Sequence, residues 1–242
     1  MANLHFATRT YPTFGTAKRP KPESAWKGSV YYWWWEYLRR NAAYKRCCKQ
    51  GGSGRLAALY ADFSDVHATD FKTWWNEGNR GGVLFAEPPA DVVLAELTYE
   101  QTKQLAEWNT ETVMVVRVPL TQSMRHLAKR FSTLLKGRHS GERGKSLLSR
   151  SAATYPLAAP FKIESLKASL LAYDIRLADP KRPLWQIAID TGLAATVLEE
   201  LKGQKTLPDA DQRNSLNVAA SRAIKRAKAM IENTGKGIFP KA

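Results

Sequence analysis

Apolar positions recur at helical spacing first in SVYYWWWEYLRRNAAYKRCCK, residues 29–49, where Val30, Trp34, Tyr37 and Leu38 share one face and Ser29 stands where a cap is needed. One helix from Ser29 to about Lys49 is expected, with Arg39, Arg40, Lys45 and Arg46 mostly off the apolar stripe. Three consecutive tryptophans point in three directions, so at least one must meet another element or a partner. GGSG at 51–54 breaks the chain, and Leu56, Leu59, Tyr60 and Phe63 mark a short helix. Thr69 or Asp70 then caps another helix, and VLFAEPP reads as a short strand closed by Pro88 and Pro89. Residues 29–89 therefore form one compact, aromatic-rich helical unit.

Residues 91–97 and 112–118 are rich in β-branched residues and read as strands around a helix opened by a Thr98/Gln101 capping box. An amphipathic helix over 120–136 follows, with Met124, Leu127, Phe131 and Leu134 or Leu135 on one face, completing a small α/β layer at 90–136. Residues 1–28 lack periodicity and predict an extended basic arm. Residues 137–160, with Arg138, Arg143, Lys145 and Arg150, predict a basic loop. GERGK at 141–145 lacks the spacing of a phosphate-binding loop.

Residues 161–242 carry three expected helices. The first, Ile163 to about Arg176, buries Leu166, Leu170, Leu171 and Ile175. The second opens at Pro183, buries Leu184, Ile187 and Ala188, and stops at Gly192. A linker with a turn at LPDAD leads to a long helix over 211–234, with acids at its start and Gly235 at its end. Its apolar positions Leu216, Ala220, Ala223, Ala227 and Met230, with Ile224 and Ile231 beside them, face a core. Asn214, Asn217, Ser221, Lys225 and Lys228, flanked by Arg213, Arg222 and Arg226, make a ladder of amide, hydroxyl and cationic groups on the other side. Such side chains suit base edges and phosphates of a major groove; they also suit a merely solvated face. GKGIFP beyond it would form a short wing or terminal strand. The fold expected overall is α+β, mostly α, ending in a helix-turn-helix.

Charge sharpens this picture. The formal net charge is +15, and residues 1–49 hold ten Lys/Arg against two acids, 50–119 five against ten, and 120–242 twenty-two against ten. Clustered cations point to a polyanionic partner, here double-stranded DNA. In the alternative, a nucleoprotein subunit grips RNA or single-stranded DNA with the tryptophans beside Arg39 and Arg40. The aromatic unit 29–89 is the expected surface for a homodimer or protein partner. Cys47 and Cys48 are adjacent and read as reduced thiols, the four histidines are dispersed at no metal spacing, and Asp62, Asp65 and Asp70 form no recognised metal pattern. No catalytic residue, metal or cofactor is expected, and the chain reads as a non-enzyme. No apolar run spans a bilayer and the N-terminus lacks a signal-peptide core, so no membrane partner and a cytoplasmic location are expected.

IESLKASLLAYDIRLADPKRPLWQIAIDTGL and RNSLNVAASRAIKRAKAMIENTG resemble the C-terminal DNA-binding domain of regulators carried by proteobacterial integrative and conjugative elements, of the FseA and QseM type. Ala172, Tyr173 and Asp174 stand at that family's Leu-Asp pair, Ile187 and Ala188 at its "IA" helix, and Arg213, Arg222 and Arg226 on its basic helix. WEYLRRNAAY at 35–44 looks like the W-[EF]-[FY]-L-R-R-N-x-x-Y motif of the small domain that often precedes it. Thr191, Gly192 and Leu193 replace the usual Leu-Phe-Gly, and the likeness covers about 30–48 and 160–235. It implies a sequence-specific, cofactor-free transcriptional regulator of a bacterial mobile element.

Overall fold

The computed structural model describes residues 5–88, 98, 100, 114–136, 151–202 and 207–242. The described residues are mostly helical, and the chain divides into two compact units, one of residues 1–88 with 147–242 and the other of 89–146.

In the first unit, Ser29 accepts a hydrogen bond from the Tyr31 N–H and starts α2 (Val30–Arg39), which follows the short α1 (Ser24–Lys27). The single helix expected over 29–49 is two, because Asn41 leaves helical geometry and its carboxamide oxygen caps α3 (Ala42–Lys49) at the Tyr44 N–H, 2.9 Å away. A side chain that satisfies free N–H groups lets a new helix begin where the periodicity alone runs on. Gly52, at φ +86°, lies against the Tyr60 ring, which a Cβ would meet at 2.1 Å. Helices α4 (Ala57–Phe63) and α5 (Phe71–Asn76) follow, α5 capped by Asp70. The strand expected from Val83 is instead the end of α6 (Arg80–Phe85); only Ala86–Glu87 (β4) is extended, paired antiparallel with His5–Phe6 (β1). A short apolar run fits a buried helix as well as a strand, and packing decides.

The arm is not loose. Beyond β1, the hairpin of β2 (Gly15–Thr16) and β3 (Arg19–Pro20) leads into α1, Phe6 packs on Tyr31 and Trp75, and Phe14 packs on Trp26 and Phe71.

Four helices complete the unit: α8 (Ile163–Ala178), α9 (Leu184–Asp190), α10 (Ala195–Leu201) and α11 (Ala210–Thr234). In α8 Leu166 and Leu170 are buried as expected, but Leu171 is exposed while Ser169 and Ala172 are buried. The helix serves two cores, with Leu166 and Leu170 entering the aromatic one and Ala172 a second, formed with Ile187, Ala188, Leu216, Ala220 and Ala223. Leu171 falls outside both. Helix α10 occupies part of the expected linker. No side chain caps it, and its start, Ala194, has the left-handed φ of 58°, so the usual opening signal is missing from the sequence. Packing of Val197, Leu198 and Leu201 against the second core holds it.

The aromatic core does not close within 29–89. Trp34 is fully buried among Phe63, Phe85, Tyr155 and Phe239, and Leu157 bridges to Phe239, where the Ala158 N–H donates to the Phe239 carbonyl. Met230 and Ile231 of α11 join the same cluster. Residues 29–89 are thus half of a core whose other half follows residue 150, and the described end of the expected basic loop, 151–160, is part of its wall.

In the second unit, the amphipathic helix expected over 120–136 begins only at Met124, as α7 (Met124–Lys136), after a turn at 120–122. Leu127, Phe131 and Leu135 are half-buried and Met124 and Leu134 are exposed. Residues 114–118 of the second expected strand are irregular; 91–97, 112–113, Gln101 of the expected capping box and the loop residues 137–150 lie outside the described residues.

Burial raises the phenol of Tyr31 to about 12 and those of Tyr32, Tyr37, Tyr44 and Tyr155 above the ordinary value. The folded state then holds protons that the unfolded chain releases, so this contribution is complete below pH 10 and is lost as pH rises through about 12. An absorbance titration at 295 nm is expected to show these phenols ionising together with loss of helix by circular dichroism; ionisation at pH 10 with the helix intact would refute their burial.

Candidate nucleic-acid interface

Helix α11 starts in a full capping box: the Gln212 N–H donates to Asp209 Oδ1 at 2.8 Å and the Asp209 N–H to Gln212 Oε1 at 3.1 Å. Its inward stripe is built from small residues. Ala220, Ala223 and Ala227, all buried, let α8 and α9 lie close against it. Every expected core position is buried except Ile224, which is half-buried.

The opposite face presents Asn214, Arg222, Lys225, Arg226 and Lys228 to solvent, with Asn217 and Ser221 half-buried at its margin. Two of the flanking cations have partners. The Arg213 guanidinium lies 5.7 Å from the Trp185 ring centroid, and Arg226 Nη1 donates to Ser165 Oγ at 2.9 Å. Arg222, Lys225 and Lys228 are exposed and carry no ion pair among the described residues. Glu232 is the one acid on this helix after Asp211.

Arg40 does not belong to any such face. Its Nε donates to Asp174 Oδ1 at 2.8 Å, its Nη2 to Asp174 Oδ2 at 2.6 Å, and its Nη1 to the Glu36 carbonyl at 2.9 Å and to the Glu36 carboxylate. A planar guanidinium held by two carboxylates is committed to structure. Arg39 stacks on Trp35, 4.5 Å from the ring centroid, and pairs with Glu36 at 3.5 Å. The rest of WEYLRRNAAY works the same way. Tyr37 donates its hydroxyl proton to the Leu166 carbonyl at 2.9 Å, Asn41 Nδ2 donates to the Ile231 carbonyl at 2.7 Å, and the Tyr44 hydroxyl donates to the Ser64 carbonyl at 2.7 Å. The segment is a clasp that ties α2 and α3 to α8, α11 and the end of α4.

Trp34 and Trp35 are buried, and Trp33 is half-buried with its Nε1 donating to the Lys27 carbonyl at 2.9 Å. Within the aromatic unit Tyr31, Tyr37, Phe63, Phe71, Trp74 and Phe85 are buried, and Tyr32, Trp33 and Tyr60 are half-buried. Arg138, Arg143 and Lys145 lie outside the described residues. The three aspartates weighed for catalysis have structural partners: Asp62 accepts from the Tyr155 hydroxyl at 2.6 Å, Asp65 from the His67 N–H, and Asp70 caps α5. Cys47 and Cys48 are buried thiols, and burial pushes Cys48 up to about 12. Among the described residues, no group of three or more His, Cys, Asp or Glu is placed to hold a metal, and no helix is long and apolar enough to cross a membrane.

One arrangement is not foreseen from the periodicity. Helices α9 and α10 are joined by four residues, 191–194, closed by hydrogen bonds from the Gly192 N–H to the Ile189 carbonyl and from the Leu193 N–H to the Ala188 carbonyl, with Gly192 at φ +70°. This double bond pattern ends a helix and redirects the chain. The spacing that encodes it is present: buried Ala188 lies four residues before Gly192, and Leu193, Leu198 and Leu201 return to the second core after it.

Asn41→Ala removes a helix cap and one of the two donors to the buried Ile231 carbonyl, which keeps the Thr234 hydroxyl at 2.7 Å, an expected loss of about 1–3 kcal/mol read from urea unfolding. A loss below about 0.5 kcal/mol would contradict the clasp. Compared with protein-family models, with curated proteins and with solved structures, the chain matches none.

Proposed function

We propose that the protein binds double-stranded DNA through its C-terminal helices and acts as a transcriptional regulator of a bacterial mobile element. The observation that carries the DNA reading is the outer face of α11, where Arg222, Lys225 and Lys228 stand exposed and without ion pairs among the described residues, on a helix fixed along its inner side. Cations held on a rigid element and not neutralised by neighbours are what phosphate binding requires. The chain's net charge of +15 adds long-range attraction. The α9–turn–α10 pair, joined by four residues with a left-handed glycine, supports a helix-turn-helix as the docking unit. The regulatory role rests on the resemblance to regulators of integrative and conjugative elements at 30–48 and 160–235. For single strands the expected grip is the tryptophan cluster with Arg39 and Arg40; Trp34 and Trp35 are buried and Arg40 is paired with Asp174 and Glu36, which favours the duplex reading, while Trp33 and Arg39 are half-buried.

The double variant Arg222→Ala, Lys225→Ala is expected to keep its helix content and thermal midpoint, to bind a duplex more weakly, and to lower the log-log salt slope by about one for each phosphate it no longer neutralises. Unchanged affinity and slope in the folded variant would take α11 out of the interface.

A further inference from the structure

We infer that the exposed face of α3, made of Lys45, Arg46 and Lys49, is a second phosphate-holding surface, and that it meets the same duplex as the cations of α11. The inference rests on the duplex-DNA reading above and adds a contact region from outside the C-terminal helices.

The chain around α3 is of one sign. Residues 37–61 contain the cations Arg39, Arg40, Lys45, Arg46, Lys49 and Arg55 and no acid. Folding neutralises only the first two: Glu36 and Asp174 hold Arg40, and Glu36 also pairs with Arg39. Lys45, Arg46, Lys49 and Arg55 are exposed and carry no ion pair among the described residues. Asp65 lies beside the buried Cys48, on the inner side of α3, and accepts from the His67 N–H.

Packing sorts the helix. Tyr44, Cys47 and Cys48 are buried, so Lys45, Arg46 and Lys49 share the outer side with Ala42. Lys45 and Lys49 stand one turn apart, and like charges so placed cost a helix stability. A cluster of cations that repel one another is the complement of a polyanion, whose phosphates relieve the repulsion. The outer side of α3 also carries no aromatic ring, since Tyr44 is buried and Tyr60 lies against Gly52. Single strands are held by exposed rings set among cations, so this face suits a duplex backbone instead.

The fold brings the cluster to α11. Asn41, the cap of α3, donates to the Ile231 carbonyl at 2.7 Å, and a Cβ on Gly235 would lie 2.7 Å from the same amide nitrogen. The start of α3 therefore abuts the last turn of α11. At about 3.6 residues per turn, Lys228 lies about 60° from Ile231 and about 20° from Gly235 around α11, on the side that meets α3. The rise along the two helices, from Arg222 to Ile231 and from Asn41 to Lys49, sums to about 25 Å, a length that roughly seven base pairs span. Both sets of cations thus fall within one short stretch of duplex.

The test compares salt series for the full-length protein and three variants. The first is Lys45→Gln, Arg46→Gln, Lys49→Gln; the second adds Arg222→Ala and Lys225→Ala to it; the third, Lys18→Gln, Arg19→Gln, Lys72→Gln, removes as much charge from the hairpin and α5. Those control positions are exposed near the start of α2, where Phe14 packs on Trp26 and Phe71, whereas α3 follows its end. Circular dichroism checks that all keep the wild-type helix content. The α3 variant is expected to bind a duplex more weakly, with a log-log salt slope lower by about one to three, at about 0.9 for each phosphate lost. The control is expected to keep most of the slope, the combined variant to lose the sum of the α3 and α11 effects, and the wild type to bind no more than one duplex per protein. An unchanged slope in the folded α3 variant would overturn the inference, as would an equal loss in the control, since net charge alone would then be the cause. Two duplexes bound per protein, or a loss confined to a single strand, would overturn it as well. A wild type that binds no duplex would instead refute the functional reading on which it rests.

Discussion

The structure depends on how WEYLRRNAAY binds to helices more than a hundred residues away. Tyr37, Arg40 and Asn41 reach the Leu166 carbonyl, Asp174 and the Ile231 carbonyl, each with a charged or amide donor or a hydroxyl placed within 3 Å. These bonds surround apolar packing in which Trp34 meets Phe239 and Leu38 lies in one cluster with Leu170 and Met230. Buried polar groups are costly unless all are satisfied, so the clasp fixes one relative placement of α2, α8 and α11. The N-terminal aromatic segment is therefore an inner support of the C-terminal helices.

Helix α11, packed by α2, α8 and α9, spans twenty-five residues. On that helix the small α9–turn–α10 corner is carried by the second core alone. Arg40 illustrates how a cation in a basic stretch is withdrawn from any ligand once two carboxylates claim it.

Where a segment's pattern has one dominant period, the sequence is legible. Helix α11 has its capping acid, its stripe and its stop within a residue or two of where periodicity puts them. The boundary between α2 and α3 is legible only if Asn41 is weighed as a cap against the continuing apolar spacing. Helix α10 has no capping side chain and begins at a left-handed alanine, so only the Ala188-to-Gly192 spacing betrays the junction. The union of 29–88 with the C-terminal helices cannot be read locally, because hydrophobic periodicity says that a face is buried and not against what. Segments 30–48 and 160–235 are the ones the clasp brings together, at Arg40 and Asp174.

The central claim is that the chain's cations meet duplex DNA and that its tryptophans do not meet bases. Fluorescence anisotropy of the full-length protein with the duplex upstream of its own coding sequence, a scrambled duplex and a single strand, each across a salt series, tests both halves. The account predicts tightest binding to the upstream duplex, persisting at physiological salt, with the single strand weakest. Equal affinity for the two duplexes would contradict sequence-specific regulation, and a preference for the single strand would contradict the duplex reading and the buried tryptophans together.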